Sequence, residues 1–447
     1  MTSASTRSAK APGGLPGVGH LVAFGRDPLG FLGTLADHGD LVEIGWGPRP
    51  VLVLCSPDLA DHVLRDPETF DKGGPYFDRF RQIFGLGLFT SEREQHRRQR
   101  ALIQPLFHRD RIAEYSQVMA ATAAEVTGRW RSGQVVDVVR EMTEITMQVT
   151  LKCMFTVSLA EDERAKVGAA AASLLNDAFW RFVMPNSWDR LPTPLNRRFR
   201  RSLHDLDSVV YRIIDEYRHR GADSPDLLSA MVGSRGEDDD ALTDRELRDN
   251  VVTFIFGGTE TTAALLSWCL YFLGRLPDVE RALHDEVDRV LDGRTPVFAD
   301  VPRLEHTGRI VSEALRLYAP GWIFTRVTLT DTELAGRPVP AGTVLIYCPY
   351  LLHRRRDLFP DPDRFHPDRW LNRGSSSAPH SYAPFGIGTR KCIGDVFGRV
   401  EATLALAIIA SRWRLRPVPN EVVKPRPRMT LVPHPLRMRI EERRPSV

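Results

Sequence analysis

Cys392 differs from the other four cysteines in what surrounds it. It sits in Pro384-Phe385-Gly386-Ile387-Gly388-Thr389-Arg390-Lys391-Cys392-Ile393-Gly394, framed by glycines, an aromatic ring and bases, just ahead of an apolar run that begins at Val396. The run reads as a buried helix, which puts Cys392 at or just before a helix N-terminus, where partial positive charge favours thiolate over thiol. Phe385 can cover the sulfur, the glycines allow close backbone approach, and loop N–H groups can donate to a thiolate. Those are the surroundings in which a cysteine serves as axial ligand to a haem iron. Cys55, Cys153, Cys269 and Cys348 have no such frame and read as buried, inert thiols.

Two other groups of residues carry chemistry. The longest helical pattern opens on the capping box Thr243-Asp244-Arg245-Glu246 and stops near Pro277. Its middle, Gly257-Gly258-Thr259-Glu260-Thr261-Thr262, runs against helix propensity: each glycine costs about 1 kcal/mol relative to alanine, and the threonines compete for backbone hydrogen bonds. Something comes close here, either a helix packing through glycine or a ligand lying beside the acid Glu260 and the hydroxyl Thr261. Glu313 and Arg316, three apart on a helix, share a face and can pair. The same spacing recurs at Glu94/Arg97, Glu161/Arg164, Glu286/Arg289 and Glu441/Arg444, where solvated surface pairs are expected. Glu313/Arg316 lies instead in an apolar helix, and the later Phe365-His366-Pro367-Asp368-Arg369-Trp370 can supply a third member, since a buried network needs every charge paired.

The elements that must position these residues are mainly helical. Helical patterns run over 94–107, 112–131, 138–155, 161–182 and 197–217, while strand-like runs begin at Leu41 and Val51 and recur near 326–329, 344–347, 429–431 and 438–440. The expected class is mainly α with a minor β part. No linker, repeat or low-complexity tract divides the chain, so a single domain over 15–447 is expected, behind a flexible Pro/Gly-rich lead at 1–14. The 447 residues, 42% hydrophobic, can bury a large core; 60 Lys plus Arg against 57 Asp plus Glu leave a net charge of +3 that singles out no nucleic-acid partner. Five cysteines make no disulfide framework, which suits a reducing cytoplasm. The N-terminal stretch has neither the apolar core of a signal peptide nor the roughly 20 apolar residues of a membrane anchor.

In order and spacing, the cysteine loop, the Gly-Gly-Thr-Glu-Thr-Thr helix, the Glu-x-x-Arg pair and the Phe-x-Pro-x-Arg-Trp segment resemble a cytochrome P450, from about Leu15 onward. The resemblance implies a P450 fold, a haem b cofactor with Cys392 as the metal ligand, and a monooxygenase that activates O2. It implies haem contacts from Phe385 and Gly394, propionate contacts from His96, Arg100, Arg326 and Arg390, a core network of Glu313, Arg316 and Arg369, and proton handling by Thr261 with Glu260. No flavin or iron–sulfur sequence is present, so electrons are expected from a ferredoxin and its reductase, docking where Arg97, Arg98 and Lys391 form a basic patch. Phe77, Phe80, Phe84, Phe179, Phe182, Phe254, Ile323 and Phe324 fall where relatives line the substrate pocket. The start of the chain and the stretch His96–His108 are similar to bacterial sesquiterpene oxidases, which implies a cyclic sesquiterpene of secondary metabolism. A fatty acid would instead want an arginine such as Arg79, Arg81 or Arg181 at the pocket mouth, and a macrolide is the other alternative. A haem sensor or electron carrier would need neither Thr261 nor Glu260. The run Asp238-Asp239-Asp240 prompts a metal-dependent terpene cyclase, but reads as a solvated loop before a capped helix.

Overall fold

The computed structural model describes residues 7–47, 49–155, 160–183, 186–220, 226–234, 241–371 and 380–443. The chain divides into two compact units, Met1–Tyr76 with Ser312–Cys392 and Phe77–Val311 with Ile393–Val447.

The first unit is built on a six-stranded sheet in the order Ser8–Lys10, Leu41–Trp46, Arg49–Leu54, Val344–Tyr347, Phe324–Thr328, Phe70–Asp71. Gly47, at φ 63°, turns the chain between Leu41–Trp46 and Arg49–Leu54, whose antiparallel register sets Leu41 opposite Leu54. Val51 to Leu54 are buried throughout, as a strand covered on both faces must be. Within the 1–14 stretch, Ser8–Lys10 lie parallel to Leu41–Glu43, because the open edge of that strand supplies partners for their backbone groups.

The second unit is helical, with Arg93–Ile103, Arg109–Thr127, Val138–Met154, Glu161–Val183, Pro194–Arg220, Leu227–Gly233, Asp244–Leu273, Pro277–Leu291 and Asp395–Arg412. The longest, Asp244–Leu273, opens on the expected capping box, with Thr243 Oγ1 accepting from the Glu246 N–H and Glu246 Oε2 from the Thr243 N–H. It packs against Val138–Met154, whose Thr146 hydroxyl donates to the Thr259 carbonyl at 2.8 Å. Asp395–Arg412 is buried without interruption from Val400 to Ala410, so its sequence is apolar all round apart from Glu401 and Thr403. The last hairpin pairs Lys424–Pro427 with Leu431–His434. The strand expected at 429–431 therefore starts later; Arg428 to Thr430 form the turn, closed by the Arg428 N–H donating to the Thr430 carbonyl.

One expected surface pair is different in kind. Glu286 is buried, and its carboxylate accepts from the His306 N–H, the Thr307 N–H and the Thr307 hydroxyl at 2.6 to 2.9 Å, capping the start of Glu305–Leu317 instead of meeting Arg289 in water. Spacing alone does not reveal that a distant helix end will reach it. Glu94/Arg97 is an exposed pair at 2.6 Å, as expected, while Glu441 meets Arg416 at 3.5 Å and Arg444 lies outside the described residues.

Candidate functional site

In the first unit the loop before Cys392 is shaped by two glycines in the left-handed region, Gly386 at φ 73° and Gly388 at φ 72°. A Cβ on Gly388 would lie 2.3 Å from the Leu64 carbonyl, so no other residue fits there; at Gly386 a Cβ would meet nothing within 4 Å. The Cys392 N–H closes the loop by donating to the Phe385 carbonyl at 2.9 Å. Cys392 is the exposed cysteine, whereas Cys55, Cys153, Cys269 and Cys348 are buried as expected, and desolvation holds their thiols protonated, Cys348 up to about 12. Arg390 is buried and pairs with Asp71 at 2.6 Å. Arg326 is also buried, and desolvation together with the charge of Arg390 lowers it to about 10. Lys72 joins them, its proton affinity pushed well down by desolvation and by both arginines, with the Cys392 sulfur close enough to oppose that shift. Two arginines, with Lys72 whose charged form is disfavoured there, thus face one carboxylate beside an exposed thiol.

That loop is held by the expected network. Glu313 and Arg316 are both fully buried. Glu313 Oε1 accepts from Arg316 Nη2, Arg369 Nε and the His366 N–H, and Oε2 accepts from Arg316 Nε and Trp370 Nε1, all at 2.9 to 3.0 Å. Arg316 Nη1 donates on to the carbonyls of His353 and Pro362. His353 Nε2 takes the Ala383 N–H, and Tyr347 donates to the Ala383 carbonyl, so the network reaches the backbone immediately before Pro384.

In the second unit the two glycines of the long helix divide the readings left open by the sequence. A Cβ on Gly258 would lie 2.6 Å from Thr150 Oγ1, so this glycine lets the helices meet; on Gly257 it would meet nothing within 4 Å. Gly257 is exposed, one turn from Thr261, whose hydroxyl donates to the Gly257 carbonyl at 2.5 Å. With its hydrogen committed there, Thr261 presents an oxygen that accepts. Glu260 leaves the helix in another direction, into a cleft of about 1580 Å³ that includes Thr259, Ala263, Arg428 and Thr430 but not Thr261. Burial raises its carboxyl to about 7, against the opposing pull of Thr430 and Arg428. A second acid escaped the sequence reading because it lies inside an apolar run: Glu401 is 1% exposed, and neither carboxyl oxygen finds a hydrogen bond of good geometry, although the Thr262 hydroxyl faces it. Burial pushes Glu401 far above the carboxylate range, so it holds its proton, whereas Glu260 can exchange one near neutrality.

His96 and Arg100 share one face of Arg93–Ile103, with His96 buried. Their helix is tied to the long helix by Arg98 to Glu246 at 2.8 Å and by Asn250 to Gln99 at 3.1 Å. Phe77, Phe80 and Phe84 are at most 4% exposed and meet one another, Phe89 and Phe256 in tilted and edge-to-face contacts, an aromatic cluster. Phe254, Ile323 and Phe324 are half-buried. The side chains of Phe179, Phe182 and Arg181 lie outside the described residues, as do Asp238, Asp239 and Asp240.

The family model for cytochrome P450 matches residues 10–441. The chain is a cytochrome P450. Among curated relatives, this P450 is 45% identical to cyclooctatin synthase of Streptomyces melanosporofaciens over 98% of the chain and 96% of the relative. It is 42% identical to pentalenene oxygenase of Streptomyces avermitilis over 98% of each, and 43% identical to cyclooctat-9-en-7-ol 5-monooxygenase of Streptomyces melanosporofaciens over 92% and 90%. Its fold matches the crystal structure of the cytochrome P450DA haem domain with a TM-score of 0.89 at 28% identity, covering 98% of this chain and 99% of that one. The P450 is a monooxygenase with a haem-iron cofactor, which takes electrons from a redox partner and uses O2. Its residues fit that cofactor: a metal-binding thiol stands exposed, and the two arginines Arg326 and Arg390 against the single carboxylate Asp71, with Lys72 alongside, suit an anionic macrocycle. Lys72 was not anticipated, for a lysine before two glycines carries no local signal. No helix among the described residues is long and apolar enough to cross a membrane.

Proposed function

We propose that Cys392 is the axial ligand of haem b, that Arg326, Arg390, His96 and Arg100 hold its propionates with Lys72 alongside, and that the substrate is an apolar cyclic terpene, a sesquiterpene hydrocarbon in the first instance. The bound haem supplies the oxidising chemistry. The protein supplies a thiolate screened by Phe385, a cationic seat, and a helix on which Thr261 can accept a hydrogen bond while Glu260 takes protons from solvent. The Glu313, Arg316 and Arg369 network keeps the cysteine loop in place. Electrons are taken from a ferredoxin in the cytoplasm; of the bases expected to receive it, Arg98 is engaged by Glu246 and the Ala241 carbonyl, and Arg97, though exposed, pairs with Glu94.

Two observations favour an apolar substrate over a fatty acid. Arg79 is buried against Asp189, and Arg81 is taken up by Asp78 and Glu92, so two of the three candidate carboxylate anchors already have carboxylate partners, while the side chain of Arg181 lies outside the described residues. The relatives named for pentalenene and for a cyclooctatenol match along almost the whole chain. A hydrocarbon with no polar handle binds by burial at about 25 cal/mol per Å².

The exposed thiol in its cationic frame carries the reading. The ferrous carbon monoxide complex is expected to show the red-shifted Soret band of thiolate ligation and Cys392→Ser to lose it; retention of the band by the variant would remove the ligand assignment. A spectral titration with cyclic sesquiterpenes, cyclic terpene alcohols, fatty acids and macrolides decides the substrate. High-spin shifts confined to fatty acids or macrolides would refute the terpene assignment.

A further inference from the structure

Glu260 is the acid of the long helix whose proton affinity lies near neutrality, and the groups that set it come from the last hairpin. Arg428 and Thr430 sit in the turn between Lys424–Pro427 and Leu431–His434, and both line the cleft into which Glu260 projects. The hairpin is anchored to the long helix, since Trp268 Nε1 donates to the Leu431 carbonyl at 2.9 Å. This places the turn against Glu260 whatever occupies the other face of the helix.

We propose that Arg428 and Thr430 are positioning residues for Glu260: they hold its carboxyl toward the cleft and govern its exchange of protons with the solvent there. The proposal rests on the reading of Glu260 as the proton-handling acid and adds the residues through which that acid is controlled. Arg428 acts by charge, attracting the ionised carboxylate, and is itself half-desolvated with Arg426 beside it. The Thr430 hydroxyl is buried and closes no hydrogen bond of good geometry, yet it faces the carboxyl and favours its ionised form, so it is poised to donate when Glu260 loses its proton. The cleft is also lined by Arg426 and His434 on the hairpin, Glu114, Glu125 and Arg129 on and just after Arg109–Thr127, Asp137, Arg140, Glu144 and Lys152 at and on Val138–Met154, Glu161 and Arg164 on Glu161–Val183, and Asp226 before Leu227–Gly233; the charge that bears on Glu260 is that of Arg428. The turn thus lines the same cleft as Glu260, and the Trp268–Leu431 hydrogen bond holds the hairpin to the helix. A proton from solvent reaches Glu260 past Arg428, and the acid lies one residue from Thr261 on the far side.

Because Arg428 stabilises the anion, removing it must raise the proton affinity of Glu260. Infrared titration of the resting holoenzyme follows the carbonyl stretch of the protonated acid, assigned by its loss in Glu260→Gln. The midpoint is expected near 7 in the native protein and higher by the order of one pH unit in Arg428→Met, with Arg428→Lys restoring it and Thr430→Val raising it at least as far. The pH at which coupling of reductant to product declines should move upward in step. An unmoved infrared midpoint in folded Arg428→Met would overturn the proposal; if that variant fails to load haem, an unmoved midpoint in Thr430→Val would do so. A midpoint that moves while the coupling profile stays fixed would overturn control of proton delivery, and leaves the thiolate assignment, tested by carbon monoxide binding, untouched.

Discussion

Replacing Glu313 by glutamine changes one oxygen to an amide and removes one charge at the centre of the first unit. Glu313 accepts five hydrogen bonds, three on Oε1 and two on Oε2. Whichever way the amide turns, its N–H2 points at two or more donors that it cannot accept. Arg316, fully buried, then loses its counter-charge. Breaking a buried ion pair from one side costs about 3–5 kcal/mol, well beyond the median surface pair. With an unfolding entropy of roughly 2 cal/mol/K per residue over 447 residues, that becomes a fall of roughly 3–5 °C in melting temperature. Calorimetry and haem content of the purified Glu313→Gln protein give the assay, with Glu94→Gln as control. Glu94 has the same spacing to its arginine but stands in water, so its loss should leave the melting temperature unchanged. Equal melting temperatures for the two variants, with full haem content in both, would refute the assignment of stability to burial of the network.

Glu401→Gln should behave oppositely. The native state holds the Glu401 proton where the unfolded chain releases it, so its contribution is intact below the ordinary carboxylate range and is lost as pH rises toward the raised value. The variant should therefore gain on the native protein by about 1.4 kcal/mol per pH unit across that window, starting near pH 5; a melting-temperature difference that is flat with pH would count against a protonated Glu401. Thr261→Ala should keep haem and substrate binding but divert electrons to hydrogen peroxide, with Thr261→Ser restoring coupling, because what disappears is an oxygen held by the Gly257 carbonyl. Unchanged peroxide yield from the alanine variant would remove Thr261 from proton handling.

What was legible in the sequence was local. The Cys392 loop, the Thr243 capping box and the Glu313/Arg316 pair are each written within a dozen residues, at spacings that a turn or one helical repeat converts directly into geometry. The third member, Arg369, was legible because a distinctive aromatic and proline frame marks it. Features made by distant segments were not. Glu286 shares its spacing with Glu94, yet one caps a helix and the other is solvated. Glu260 meets a turn more than 160 residues further along the chain, and nothing at either place signals the other. Lys72 and Glu401 were missed for the same reason, since their meaning depends on what surrounds them after folding. Phe77, Phe80 and Phe84 show the converse, as a stripe that suggests pocket lining is drawn into an aromatic cluster by Phe89 and Phe256.

The unequal surroundings of Gly257 and Gly258 give an engineer two neighbouring positions with opposite tolerances. A methyl group at 258 would drive the long helix away from Val138–Met154 and disturb everything mounted on it. At 257 the same methyl meets no protein atom within 4 Å and adds helix propensity, a gain of about 1 kcal/mol for the helix itself. It would also protrude one turn from Thr261, on the face left free by the neighbouring helix. Gly257 is therefore the position of the two where a small step in volume leaves the helix–helix contact, and the scaffold it belongs to, undisturbed.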